Sequence, residues 1–227
     1  MNRRPILFQT DGRPIDPAHI ADSVAAFGDS YNDAAHTIIR ESAGLDEDGT
    51  VFRACASRIL SSFGMTRGGI FRTRGAEVLQ ACWREIGSDL LDIRASVGSG
   101  GLDRDRYLLE LDEDSRTELI GDVWSLMKRL LPFTMGKTSY GLVGASKILF
   151  SVLPEIALPI DNAQWRFVFR TVDLGDILKW MVADIREWES VTGQQLNTMD
   201  KLGRLSTLPS VYNVMAMAAR PETSESA

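Results

Sequence analysis

The sequence predicts an all-α protein, a helical bundle filling residues 1–220 as one domain or two lobes, with a short extended N-terminal arm. Three observations carry this. Nearly every long apolar pattern repeats at three- and four-residue spacing; capping residues, prolines and glycines fall where helices should start and stop; and nothing larger than a hairpin near residues 5–15 suggests sheet.

The elements follow in order. Residues 5–15 form the arm, with a turn at Asp11-Gly12, and Asp16-Pro17 opens the first helix with a cap and a proline in its first turn. A second helix runs from Ser30 to about Ala43. Thr50 caps a third that carries Phe52, Cys55, Ile59 and Phe63 at helical spacing, and a fourth, about Ala76 to Ile86, presents Val78, Leu79, Cys82, Trp83 and Ile86 on one face. Gly98-Ser99-Gly100-Gly101 is the strongest break and the candidate lobe boundary; the acidic stretch Asp103 to Asp114 follows it.

Ser115-Arg116-Thr117-Glu118 has the spacing of a capping box, opening a helix with Leu119, Ile120, Val123, Trp124, Met127, Leu130 and Leu131 inward, which Pro132 ends. A short helix over about Leu142 to Val152, a linker from Pro154 to Pro159, and a helix opened by Asp161 come next. Asp176 to about Val191 is amphipathic, with Ile177, Trp180, Met181, Ile185 and Trp188 inward. Leu208-Pro209-Ser210 starts a last helix to Ala219, and 221–227 is a polar tail.

Composition narrows the function classes. With 44% hydrophobic and 25% charged residues the chain has the make-up of a globular protein. A net charge of -6 argues against indiscriminate polyanion binding, so any DNA contact must come from a local basic surface. Cys55 and Cys82 both sit within apolar helical patterns, as two buried reduced thiols would, which fits a cytoplasmic location. No apolar run is long enough for a membrane span or a signal peptide, so neither membrane nor export is expected.

Several motifs carry less than they promise. Gly136-Lys137-Thr138 lacks the phosphate-loop glycine five positions earlier, where Leu131 stands. His19 and His36 give too little material for a zinc centre or a Ser-His-Asp relay, and no metal or other cofactor is expected. Asp103 and Asp105 alternate with Arg104 and Arg106, the pattern of a self-neutralising surface loop. Thr66 to Gly75 differs, because Arg67, Arg72 and Arg74 cluster there with Gly68, Gly69 and Gly75 in an otherwise acidic chain. Arginine forks match phosphate oxygens and glycines let backbone amides approach an anion, although an ordinary helix-to-helix loop has the same composition.

The most informative segment is Gly136 to Thr171, in which lysines precede a helix-like run and Pro159-Ile160-Asp161 leads into Trp165, Arg166, Phe167, Phe169 and Arg170. Asp161 thus stands at the positive end of a helix, where a carboxylate can cap or catalyse. The stretch PIDNAQWRFVFRT resembles the helix-hairpin-helix DNA glycosylase superfamily, over 36 of 227 residues. In that resemblance Asp161 matches the catalytic aspartate, Arg166 and Arg170-Thr171 match the downstream arginine positions, and Gly144-Ala145-Ser146-Lys147 or Gly136-Lys137-Thr138 supplies the hairpin glycine and lysine.

The resemblance implies a helix-hairpin-helix glycosylase-like fold, DNA as partner, and cleavage of an N-glycosidic bond. Asp161 would stabilise the sugar cation or activate water, and Lys147 or Lys137 would be the nucleophile. A flipped base would need an apolar pocket, for which Trp124, Phe133 and Trp165 are candidates. The alternative is a non-enzymatic helical scaffold or regulatory module in a bacterial-defence or mobile-element setting, with a protein partner or a second copy of the chain, in which the same segment is a core hairpin.

Overall fold

The computed structural model describes residues 5–27, 44–136, 141–201, 203 and 207–221. Among these the protein is all-α, with no strand; the N-terminal arm folds back through a bridge between Phe8 and Pro14, across a turn in which Gly12 takes φ 81°. The expected helix from Ser30 to Ala43 lies outside the described residues.

Helix α1 (Pro17–Ala26) starts as the sequence dictates, with the Asp16 side chain accepting from the Ala18 N–H. Helix α2 (Thr50–Ser62) does not use Thr50 as its cap. Gly49 takes that place in the left-handed conformation, and a Cβ there would meet the Trp83 ring at 2.4 Å, so glycine is required by both backbone and neighbour. Helix α3 (Gly69–Ser96) is far longer than the segment expected over 76–86, and it absorbs Gly69 to Gly75 of the arginine-rich stretch, which is therefore not the ordinary helix-to-helix loop its composition also allowed. It is broken once, at Arg74, where φ -138° and ψ 25° leave the helical region.

Short turns around Ser99–Gly101 and Arg104–Arg106 lead to α4 (Tyr107–Glu110). Helix α5 (Glu113–Thr134) departs from expectation at both ends. Asp112, not Ser115, is the cap, accepting from the Ser115 N–H at 2.9 Å and its hydroxyl at 2.7 Å. Pro132 does not end the helix, because it lies in the last turn. There the carbonyl it would otherwise bond belongs to exposed Lys128, so water can replace the lost hydrogen bond, and the helix runs to Thr134.

Helix α6 (Leu142–Val152) is the spine of the fold. Every residue from Gly144 to Ile160, covering most of the helix and the whole Pro154–Pro159 linker, is buried. A helix apolar on all sides has to be enclosed, and α6 packs against both α2 and α5, while α3 lies against α2 and α5. Helix α7 (Leu174–Thr192) is capped by Asp173, packs on α5, and buries Ile177, Met181, Ile185 and Trp188, with Trp180 half-buried. Helix α8 (Leu208–Ala218) is buried from Leu208 to Ala216 and rests on α1.

Candidate functional site

Two charged side chains enter the buried spine, and the fold treats them differently. Glu155 is clamped by two arginines: Arg94 Nη1 donates to Oε2 at 2.6 Å and Arg104 Nη2 to Oε1 at 2.9 Å. Both carboxylate oxygens are therefore satisfied by cations, as a buried charge requires.

Lys147, one α6 residue among eight other buried ones, has no such clamp among the described residues. It is 5% exposed, and among the described residues its ammonium has no hydrogen-bond or ion-pair partner. Its Nζ lies 4.0 Å from the centre of the half-buried Phe63 ring. Burial pushes its pKa down to about 8, and only the charge of Asp161 opposes the shift. Of the two candidate lysines, Lys137 lies outside the described residues.

Asp161 sits at the end of the buried linker, ahead of a π-helical turn, Gln164–Phe169, closed by an Arg170 N–H to Trp165 carbonyl bond of 3.0 Å. The helix expected to start at Asp161 is therefore this single wide turn. Asp161 Oδ1 accepts from the Gln164 N–H at 2.8 Å, and Oδ2 accepts from Arg220 Nη1 at 2.6 Å. Arg170, one of the expected DNA-binding arginines, leaves the turn in the left-handed conformation, φ 56°, a rare state for a side-chain-bearing residue; π turns and such outliers gather at functional sites. Arg166 and Arg170 are exposed, and Arg166 stacks on Phe167 at 5.3 Å.

The three pocket candidates are not gathered into one place. Trp165 is buried at 5% exposure with no partner for its indole N–H. Trp124 and Phe133 are half-buried on α5, and Trp124 packs beside Gly175 at the start of α7, under the Lys128 ammonium at 5.5 Å.

The arginine-rich stretch builds a second feature. The break at Arg74 turns the start of α3 away from its main axis and opens a groove of about 640 Å³ between it and α2, lined by Arg72 and Arg74. Arg67 stands nearby, at the end of a 3-10 turn (Met65–Arg67), and is exposed but outside the lining. Sequence reasoning missed Arg53, which reaches the groove from α2, because nothing in its local sequence sets it apart. The groove touches the spine through Phe71. That side chain lines it, and a Cβ on Gly144 of α6 would meet the Phe71 ring at 2.9 Å.

His19 is exposed on α1, and His36 lies outside the described residues. Among the described residues no three His, Cys, Asp or Glu side chains are grouped to hold a metal ion, and no helix is long and apolar enough to cross a membrane.

These geometries define an all-α protein with a buried lysine on its central helix, within reach of the charge of a capping aspartate, and a basic groove between α2 and the start of α3. Comparison with protein-family models, with curated proteins and with solved structures gives no significant match.

Proposed function

We propose that the protein binds DNA and carries base-excision chemistry, with Lys147 as the amine nucleophile and Asp161 as the charge that steadies the developing sugar cation. The observation that supports this most is the state of Lys147: buried, without a carboxylate partner among the described residues, and with its pKa lowered to about 8, so that about a tenth is free amine at pH 7.

The step balances as follows. The Nζ lone pair forms a bond to C1′ of the nucleotide while the C1′–N bond breaks, and the base departs with that electron pair and takes up a proton. The nitrogen then loses a proton, its lone pair forms a double bond to C1′ as the C1′–O4′ bond breaks, and the ring oxygen leaves with that electron pair and takes up a proton, giving a protonated imine between Lys147 and C1′ that water hydrolyses. Positive charge grows on the sugar during the first step, and the Asp161 carboxylate lies close enough to act on Lys147 itself. Phosphates of the duplex would meet Arg67, Arg72 and Arg74, with Arg166 and Arg170 as further contacts.

A scaffold role is the second reading. It is favoured by the engagement of both Asp161 oxygens, by the Gln164 N–H and by Arg220. Borohydride reduction during incubation with duplexes containing an abasic site or a panel of damaged and mismatched bases separates the two. A covalent protein–DNA adduct that Lys147→Met abolishes supports the enzyme; no adduct and no base release from any duplex retires it in favour of the scaffold.

A further inference from the structure

The groove between α2 and the start of α3 has more chemistry than a strip of phosphate contacts needs. Its floor is apolar, formed by Leu60, Phe71 and Leu79, while its walls carry the hydroxyls of Ser57, Thr66 and Thr73. Three guanidiniums, those of Arg53, Arg72 and Arg74, face one carboxylate, Glu77, in a chain whose overall charge is -6. At about 640 Å³ the space falls within the ~300–1,000 Å³ typical of small-molecule sites.

The arginines differ in how free they are. Arg53 is fixed in place, with Nη1 donating to Gln80 Oε1 at 2.8 Å and to the Asp48 carbonyl at 2.9 Å, and Nη2 to Thr50 Oγ1 at 3.0 Å. Arg74 bonds Glu77 at 2.7 Å, but both side chains are about two-thirds exposed at 65% and 67%, so the pair is weak and yields readily to a stronger anion. Arg72 is exposed and has no partner among the described residues. A dianionic phosphate entering here would meet an unoccupied fork at Arg72 and a loosely held one at Arg74.

We propose that this groove binds a 5′-phosphorylated nucleoside unit, its phosphate on Arg72 and Arg74 and its base against Leu60, Phe71 and Leu79. The amphipathic lining selects such a ligand over a bare phosphate, which leaves the floor unused, and over a bare nucleoside, which leaves the arginines unpaired. The unit could be a free mononucleotide or the 5′ end of a strand. The inference rests on the part of the preceding reading that brings phosphates to Arg72 and Arg74, and does not depend on Lys147.

Calorimetric titration of the full chain with dAMP, deoxyadenosine, inorganic phosphate, and a short oligonucleotide with and without a 5′-phosphate tests it. Binding of dAMP identifies the free nucleotide as occupant. Binding of the 5′-phosphorylated strand alone identifies the strand end. In either case deoxyadenosine and inorganic phosphate bind at least about tenfold more weakly, and Arg72→Ala loses at least about tenfold, the scale of a charge-assisted contact. Arg84→Ala, an exposed arginine outside the lining, retains affinity, and thermal melts verify folding throughout. No binding of either phosphorylated ligand, or wild-type affinity in folded Arg72→Ala, overturns the proposal. Lys147→Met run in parallel keeps the two readings apart, since it removes the imine chemistry and leaves groove binding intact.

Discussion

Asp161 and Gln164 cap each other. The Asp161 N–H donates to Gln164 Oε1 at 2.8 Å while the Gln164 N–H donates to Asp161 Oδ1 at 2.8 Å, the reciprocal arrangement of a capping box placed at the head of a π turn. Gln164 is fully buried and its Nε2 goes on to Asn213 Oδ1 on α8 at 2.9 Å. The box thereby ties the end of the spine to the C-terminal helix, and it leaves the second carboxylate oxygen of Asp161 to Arg220.

From this follows a difference between two substitutions. Asp161→Asn keeps an oxygen for the cap and loses the ion pair with Arg220, whose side chains are 28% and 36% exposed, together with the charge felt by Lys147; the ion pair itself is worth no more than about 1 kcal/mol. Gln164→Ala strands the Asp161 N–H and Asn213 and costs about 1–3 kcal/mol for each group left unsatisfied. Urea unfolding of the two variants measures the order. A larger loss for Asp161→Asn would mean its charge, not its cap, holds the turn. Under the proposed chemistry the same Asp161→Asn variant, though stable, loses about a hundredfold or more in base release.

Glu155 offers a structural counterpart. Arg94 and Glu155 are 8% and 5% exposed at the side chain, so Glu155→Ala leaves a buried guanidinium without its partner. The expected loss is about 3–5 kcal/mol, read from the denaturant midpoint. Arg104→Ala, on the half-exposed side of the clamp at 48%, costs about 1 kcal/mol or less. Equal losses would show that the clamp is not organised around Arg94.

The thiols give a test of the core itself. Cys55 and Cys82 are buried and free, and desolvation pushes both pKa values up to about 12. Neither should react with a disulfide reagent at pH 8 while the protein is folded, and both should react at once in denaturant. Rapid native labelling would show that the apolar faces of α2 and α3 are exposed.

The legibility of this chain followed the range of the interactions involved. Signals confined to a few residues are readable: the Asp16-Pro17 helix start, the apolar period of α5 and α7, and the short helix over Leu142 to Val152 all follow from neighbours in sequence, whereas the complete burial of that helix does not. Helix ends were less readable, because Gly49 and Asp112 outcompeted Thr50 and Ser115 through a ring contact and a one-turn shift that periodicity does not encode. At the candidate site the sequence brings Asp161 into one segment with two candidate lysines, Lys147 and Lys137, without choosing between them. The surroundings are not legible there: Phe63, Arg220, Arg94 and Arg53 arrive from distant parts of the chain, by packing alone.

Duplex binding should report the arginines through salt. Each phosphate neutralised contributes about -0.9 to the slope of log K against log salt, so Arg67, Arg72 and Arg74 replaced together by alanine should flatten the slope by up to about 3 and weaken binding. Fluorescence anisotropy across a salt series gives both values. An unchanged slope would take this surface out of the DNA contact.

Lys147 makes the sharpest pH prediction. Its folded-state pKa of about 8 lies below the ordinary 10.5, so below pH 8 the amine is protonated in both states and the full cost of burying the charge is felt. Between about pH 8 and 10.5 the folded amine is neutral while the unfolded one still binds a proton, and stability therefore rises with pH across that window. Lys147→Met, close in volume and uncharged, removes the penalty and should stabilise the protein at pH 7 by up to about 3 kcal/mol, with the gain shrinking above pH 8. Unfolding curves of both proteins from pH 6 to 9 measure it, and a gap that stays constant would show that the ammonium is solvated after all. The same ionisation governs the proposed chemistry, since only the free amine attacks: adduct formation should climb through pH 8. Asp161 holds the proton on Lys147, so Asp161→Asn should move that midpoint to lower pH even as it slows the reaction, a combination that a purely structural aspartate would not produce.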